Sequence, residues 1–161
     1  MIFKLFRKKK EPEIPEHTEV VEVSGEPKGK FIVEEVFQIK WIGLILAGRV
    51  FKGEMSVGDI LKLPDGRFLR VKGIEKGRKK VDKAVVNEAV GVIIEGVGWK
   101  PSRKDLEKLR VREIIERIRK EATRKYLHMP KDLVKKLVEK EIRDQLEKEL
   151  DKIALEIYTP K

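Results

Sequence analysis

Cysteine is absent from this 161-residue chain, which excludes disulfides and thiolate metal centres and fits a reducing, cytoplasmic setting. Histidine is nearly absent, with His17 and His128 the only two. Nucleophile–base pairs and paired-histidine metal motifs therefore have almost nothing to be built from. His17 sits in a polar linker and His128 beside Met129-Pro130, where a helix end or solvated surface is the plain reading. Side-chain amides are scarce too: one Asn and two Gln stand against 38 Lys and Arg, a balance that resembles hyperthermophile composition. No apolar run approaches the roughly 20 residues that cross a bilayer. At the start, Ile2, Phe3, Leu5 and Phe6 precede Arg7 to Lys10, the reverse of a signal peptide. These absences predict a protein that is not an enzyme and needs no cofactor or metal.

What is present is charge. Charged residues make up 41% of the chain and the net charge is +10, well above an ordinary domain's charged share of about 25%. Residues 1–10 carry +5, residues 11–30 carry −4, residues 31–99 carry +3 and residues 100–161 carry +6. A basic surface attracts polyanions such as RNA or anionic lipid. Helix salt bridges and solubility are the alternative use of the same residues.

Three segments follow from composition. Residues 1–17 read as an arm: a basic start able to make weak membrane-surface contact, then Glu11-Pro-Glu-Ile-Pro15-Glu, which prolines and charge keep out of regular structure. Residues 18–99 read as a β domain. The run at residues 18–23 has strand character, and Gly25-Glu-Pro27-Lys-Gly29 closes it. Gly25-x-x-x-Gly29-Lys30-Phe31 is a near miss to a phosphate-binding loop, one spacer short and with Phe31 where a hydroxyl would hold magnesium. Short β-type runs then alternate with glycines, which predicts a small antiparallel barrel. Phe31, Val33, Val36, Phe37 and Ile39 are its first-strand core candidates. Asp65-Gly66 marks a hairpin. Residues 76–80, Lys-Gly-Arg-Lys-Lys, read as an exposed loop.

The order of motifs from Phe31 to Val97 resembles the second domain of translational GTPases of the elongation factor Tu type. It is carried by Phe31-x-Val33-Glu34-Glu35-Val36-Phe37-x-Ile39, Ala47-Gly48-Arg49-Val50, Gly53, Val57-Gly58-Asp59, Ile74-Glu75, Ala84, Val90-Gly91 and Glu95-Gly96-Val97. The resemblance implies a six-stranded Greek-key barrel. In the family this barrel packs on the GTPase domain and helps to hold RNA or the ribosome. The departures are specific. The family's Gly-Arg-Gly link is Lys40-Trp41-Ile42-Gly43, and its Thr before Gly-Arg is Ala47. Its final Gly-Asp-Val-Leu strand is not evident after Trp99; residues 18–23 are a candidate to fill the vacant edge. Thirty residues ahead of the barrel cannot hold a GTPase domain, and the guanine-specificity pattern Asn-Lys-x-Asp is absent. Gly48 and Gly91 would permit close backbone approach, Asp59 would bond backbone amides, and Arg49 would pair with Glu35.

After Trp99 the apolar period lengthens to that of helices, and residues 100–161 read as a two-helix hairpin. Ser102 with Asp105 forms a capping-box signature for a helix running to about residue 125. Pro130 opens a second helix, with an apolar stripe from Leu133 through Ile157. Acid-first pairs such as Glu113–Arg117, Glu121–Lys125 and Glu139–Arg143 match charge along each helix.

The expected function is a non-enzymatic RNA- or ribosome-associated binding module. Lys76, Arg78, Lys79 and Lys80 would meet phosphate. So would Arg103, Arg110, Arg117 and Arg124, which recur every seven residues. Arg49 and Trp41 are secondary contacts, the indole offering a base-stacking face. The alternative is a protein-interaction module whose helical hairpin forms a homodimer or docks a protein partner.

Overall fold

The computed structural model describes residues 22, 23 and 25–161. The proposed membrane-contacting arm, His17 and most of the strand-like run at 18–23 lie outside the described residues.

Strands β1 (Gly29–Ile39) and β2 (Gly43–Ser56) form a long antiparallel hairpin. They are followed by β3 (Ile60–Lys62), β4 (Phe68–Lys76), β5 (Lys79–Val81), β6 (Lys83–Val85) and β7 (Ala89–Gly96). Helices α1 (Arg103–Glu107), α2 (Val111–Lys125) and α3 (Lys131–Ile153) come next, and the chain closes with β8 (Leu155–Tyr158). The hydrogen-bonded order β1-β8-β3-β4-β7-β2 returns to β1, so six antiparallel strands close into a barrel. Closure leaves the six-stranded ring itself without an edge strand. Strands β5 and β6 lie off this ring, paired to β4 and to the end of β2.

Alternation fills the barrel. Phe31, Val33 and Val36 of β1, Leu44, Leu46 and Val50 of β2, and Val90, Val92 and Ile94 of β7 are buried in one cluster. The period slips at Glu34, because the β1–β2 register shifts between Val33 and Glu35. This bulge puts both Val33 and Val36 inside and turns Phe37 and Ile39 outward, 47% and 43% exposed, so those two are not core. At Gly48 an added Cβ would collide with the Ile32 carbonyl oxygen, whereas at Gly91 it would meet only the Ile45 side chain at 3.5 Å. Close approach thus requires glycine at 48 but not at 91. Asp59, 4% exposed, accepts from the Ser56 amide at 2.7 Å and pairs with Lys28 at 2.7 Å.

The missing strand is found at the far end of the chain. Leu155, Glu156 and Ile157 pair with Phe31, Lys30 and Gly29 on one side, and Glu156, Ile157 and Tyr158 pair with Lys62, Leu61 and Ile60 on the other. The apolar stripe expected to run helically through Ile157 therefore ends at Ile153, with Ala154 already extended at ψ 145°. Spacing at 153, 154 and 157 suits a helix, but a gap between β1 and β3 offers two ladders of hydrogen bonds and full burial for Leu155 and Ile157. Val23 makes only an isolated bridge to Pro160, so the barrel edge assigned to residues 18–23 is filled instead by β8. The helices are an excursion between β7 and β8.

The first helix is likewise divided. Ser102 caps α1 with the expected reciprocal bonds to Asp105, but α1 stops at Glu107 and α2 begins at Val111. Leu106 sits in the barrel cluster, while Ile118 and Ala122 pack against Val138 and Ile142 of α3. One straight helix cannot serve both clusters. Helices α2 and α3 are antiparallel, and three ion pairs run between them: Arg117–Glu149 at 2.8 Å, Arg119–Glu139 at 3.3 Å and Lys125–Glu141 at 3.3 Å. The i,i+4 pairs expected for Arg117 and Lys125 give way to these, because packing brings the acids of α3 closer. Arg110 to Glu35 (2.9 Å) and Lys30 and Lys52 to Asp151 (3.1 and 3.2 Å) fasten the excursion to the barrel at both ends.

Candidate nucleic-acid interface

Residues 76–80 are not a loop but the tip of a tight hairpin. Lys76 pairs with Lys79 and Glu75 with Lys80, leaving a two-residue turn of Gly77 and Arg78. Their φ values are 58° and 70°. Positive φ at both turn positions suits the type I′ turn, whose twist matches that of the flanking strands. The turn holds Arg78 outward at the tip even though an arginine there is in a conformation that glycine tolerates better.

The charges at this tip are mostly unmatched. Arg78, Lys79 and Lys80 are exposed and have no ion-pair partner among the described residues. Lys76 and Lys79 stand directly opposite each other, an unfavourable placement for like charges. Lys76 is offset by Glu88, whose carboxyl its ammonium holds below the usual carboxylate range. Glu88 also accepts from the Val85 amide at 2.8 Å. The adjoining Asn87 carbonyl accepts from Arg49 at 3.1 Å. Lys76 and Arg49 thus reach the same turn, and five of the anticipated contact residues share one end of the barrel.

The other anticipated residues lie elsewhere. Arg49 pairs with Glu34 at 3.3 Å, not with Glu35. The bulge at Glu34 frees Glu35 to take Arg110 and Arg112, and Arg110 foremost holds the Glu35 carboxyl below its ordinary range. Trp41, 92% exposed with φ 72°, tops the turn between β1 and β2, with Lys40 Nζ 5.3 Å from its ring centre. This turn is at the opposite end of the barrel: Gly43 and Leu44 lie level with Ile94, which pairs with Val71 near the start of β4, whereas the basic tip follows the end of β4.

The seven-residue arginine series does not lie on one helix. Arg103 is on α1 and pairs with Glu107 at 3.2 Å; Arg110 joins α1 to α2; Arg117 is bound to Glu149. Arg124 alone of the four has no carboxylate partner among the described residues. Sequence reading missed Arg112 and the cations Lys131 and Lys135 at the start of α3. The last two had a signal, since the first two turns of that helix carry only Asp132 against three lysines, Lys131, Lys135 and Lys136. Among the described residues no group of three His, Cys, Asp or Glu is placed to hold a metal, and no helix is long and apolar enough to cross a membrane.

The closed six-stranded barrel, in this strand order and with these motifs, is of the elongation factor Tu domain 2 kind. The chain is similar to elongation factor 1-alpha of Metallosphaera sedula, at 30% identity over 97 residues, which is 58% of this chain and 22% of that protein. It is also 30% identical over 101 residues to elongation factor 1-alpha of Sulfolobus acidocaldarius, 60% of this chain and 22% of the relative. Among solved structures, a bacterial selenocysteine-specific elongation factor matches 49% of this chain and 13% of its own at 26% identity and a TM-score of 0.42. The apo elongation factor SelB of Methanococcus maripaludis matches 50% and 17% at 29% identity and a TM-score of 0.41. No protein-family model matches. The chain spans about a fifth of the length of the curated relatives it matches.

Proposed function

We propose that this chain is a non-enzymatic, cytoplasmic module of translation-factor type that binds RNA, free or in the ribosome, through phosphate contacts. The observation that carries this reading is the β4–β5 tip, where a type I′ turn gathers Arg78, Lys79 and Lys80, none of which is in an ion pair among the described residues. Three of the six cations on α2, Arg117, Arg119 and Lys125, are bound to acids of α3, so they would release an ion pair before meeting phosphate. The tip needs no such exchange. Arg49 and Lys76 extend the surface along the Asn87–Glu88 turn. The similarity to elongation factors supports an RNA-rich setting for the barrel.

A salt titration tests the reading. Single-stranded RNA binding loses about 0.7 in log–log slope for each phosphate contact removed. The variant R78Q/K79Q/K80Q should therefore flatten the salt dependence by about 2 and weaken binding at low salt. Absence of RNA binding by the intact chain at low salt, or an unchanged slope in the variant, would reject it.

A further inference from the structure

A second surface lies on the helical hairpin. An open groove of about 410 Å³ runs beside the connection between α2 and α3. Its floor is aliphatic: Leu127, Met129, Val134 and Val138. Leu127 is 72% exposed and so open to a docking side chain. A second concavity shares Arg119, Thr123 and Leu127 and continues along α2 past Lys120 and Arg124. Lys131 and Lys135 line the α3 side. Glu139 is the one acid in either lining, and it is already bound to Arg119 at 3.3 Å. Lys120, Arg124, Lys131 and Lys135 have no ion-pair partner among the described residues.

An apolar floor between unpaired cations selects its occupant by chemistry. We infer that this groove docks an acidic amphipathic helix of a partner protein, with apolar side chains on the floor and carboxylates on the flanking cations. RNA fits less well, because the lining has no aromatic face on which a base could stack. A second copy of this chain fits less well again. A symmetric dimer through this face would bring the same cations together, and residues 100–161 carry +6. A bilayer would need a convex apolar surface, not a concave one.

The test uses the full chain and a fluorescent designed peptide helix with leucines on one face and glutamates beside them. The expected result is saturable binding that weakens at least about tenfold in K131E/K135E and in L127D. It should be unchanged in R78Q/K79Q/K80Q, which separates this groove from the proposed RNA surface. Circular dichroism of each variant should keep the helical signal of the parent. A third variant, Arg124→Glu, lies outside the packed cluster and keeps the test open if L127D disturbs the fold. No peptide binding overturns the inference. So does equal binding of an all-glutamate peptide lacking leucine, which would mean unspecific charge attraction, or a loss of RNA binding in K131E/K135E matching the loss of peptide binding, which would assign the groove to nucleic acid.

Discussion

Removing residues 155–161 should destroy the barrel, although every motif of the β domain between Phe31 and Val97 would remain. Leu155 and Ile157 are fully buried and Tyr158 is 8% exposed. At about 1.5–3 kcal/mol for each fully buried apolar side chain, the three together contribute about 5–9 kcal/mol. The ladders to β1 and β3 are lost as well. Domain stability is typically only about 5–15 kcal/mol, so the truncated chain should lack a cooperative native state. A graded version is Ile157→Ala, expected to cost about 2–5 kcal/mol. At roughly 2–4 °C per kcal/mol for a chain of this size, the melting temperature should fall by roughly 5–20 °C. Thr159→Ala, at an exposed position, is the control and should change little. The assay is denaturant and thermal unfolding followed by Trp99, whose indole donates to the Phe68 carbonyl at 2.8 Å and stacks against Arg67. Trp41 and Trp99 are the only tryptophans, and Trp41 is exposed, so a Trp41→Phe background leaves one reporter, half-buried against the barrel core. If the truncated chain unfolds with the midpoint of the intact one, the barrel closes without β8 and the strand assignment is wrong.

Three further outcomes are expected. Arg78→Gly should raise stability by about 1 kcal/mol, since a left-handed non-glycine costs roughly that much, while weakening RNA binding; unfolding and binding measured on the same samples check both, and a variant that loses stability contradicts the turn assignment. Gly48→Ala should lower stability by more than about 2 kcal/mol, because the new methyl collides with the Ile32 carbonyl, whereas Gly91→Ala should be mild; equal midpoints for the two would contradict the packing described. Glu141 is held down to about 2 from an ordinary 4.5, first by the Gln145 amide, then by the Tyr126 hydroxyl and the Lys125 ammonium. A lowered carboxylate pKa stabilises the fold fully above the ordinary value and loses that effect as pH falls through the folded value. The melting temperatures of the parent and Glu141→Gln should therefore converge between about pH 4.5 and 2, with a constant offset at higher pH; parallel profiles throughout that window would show that Glu141 is not coupled to folding.

The functional surfaces share a physical logic. Most arginines of the helical excursion are committed to carboxylates that packing brings within reach. Among the cations without such partners, one group stands at the β4–β5 tip and another lines the groove beside the α2–α3 connection. Their settings differ. The tip is a narrow polar hairpin, suited to a phosphate backbone, and the groove has an aliphatic floor, suited to a polypeptide with apolar anchors.

Much of the barrel was legible in the chain alone. Short β-type runs separated by glycines, the Asp65-Gly66 turn and the order of motifs from Phe31 to Val97 are local signals, each read within a few residues. The capping box at Ser102 and Asp105 and the start of α3 after Pro130 are local too, and all stand in the structure. The basic tip was visible as composition, though not as a hairpin, because a positive φ at Arg78 has no signature in the residue itself. What only tertiary structure decided was partnership. The run from Ile153 to Ile157 is compatible with a helix or a strand, and the unfilled position between β1 and β3 makes it β8. The arginine series at 103, 110, 117 and 124 has helical spacing, but Leu106 belongs to one core and Ile118 to another, so the helix is divided. Glu35 reaches Arg110 rather than Arg49 because a bulge one residue earlier turns its side chain. Local pattern determines which conformations a segment can adopt. Contacts between segments distant in sequence select among them, since burial and closure of the barrel outweigh local preference.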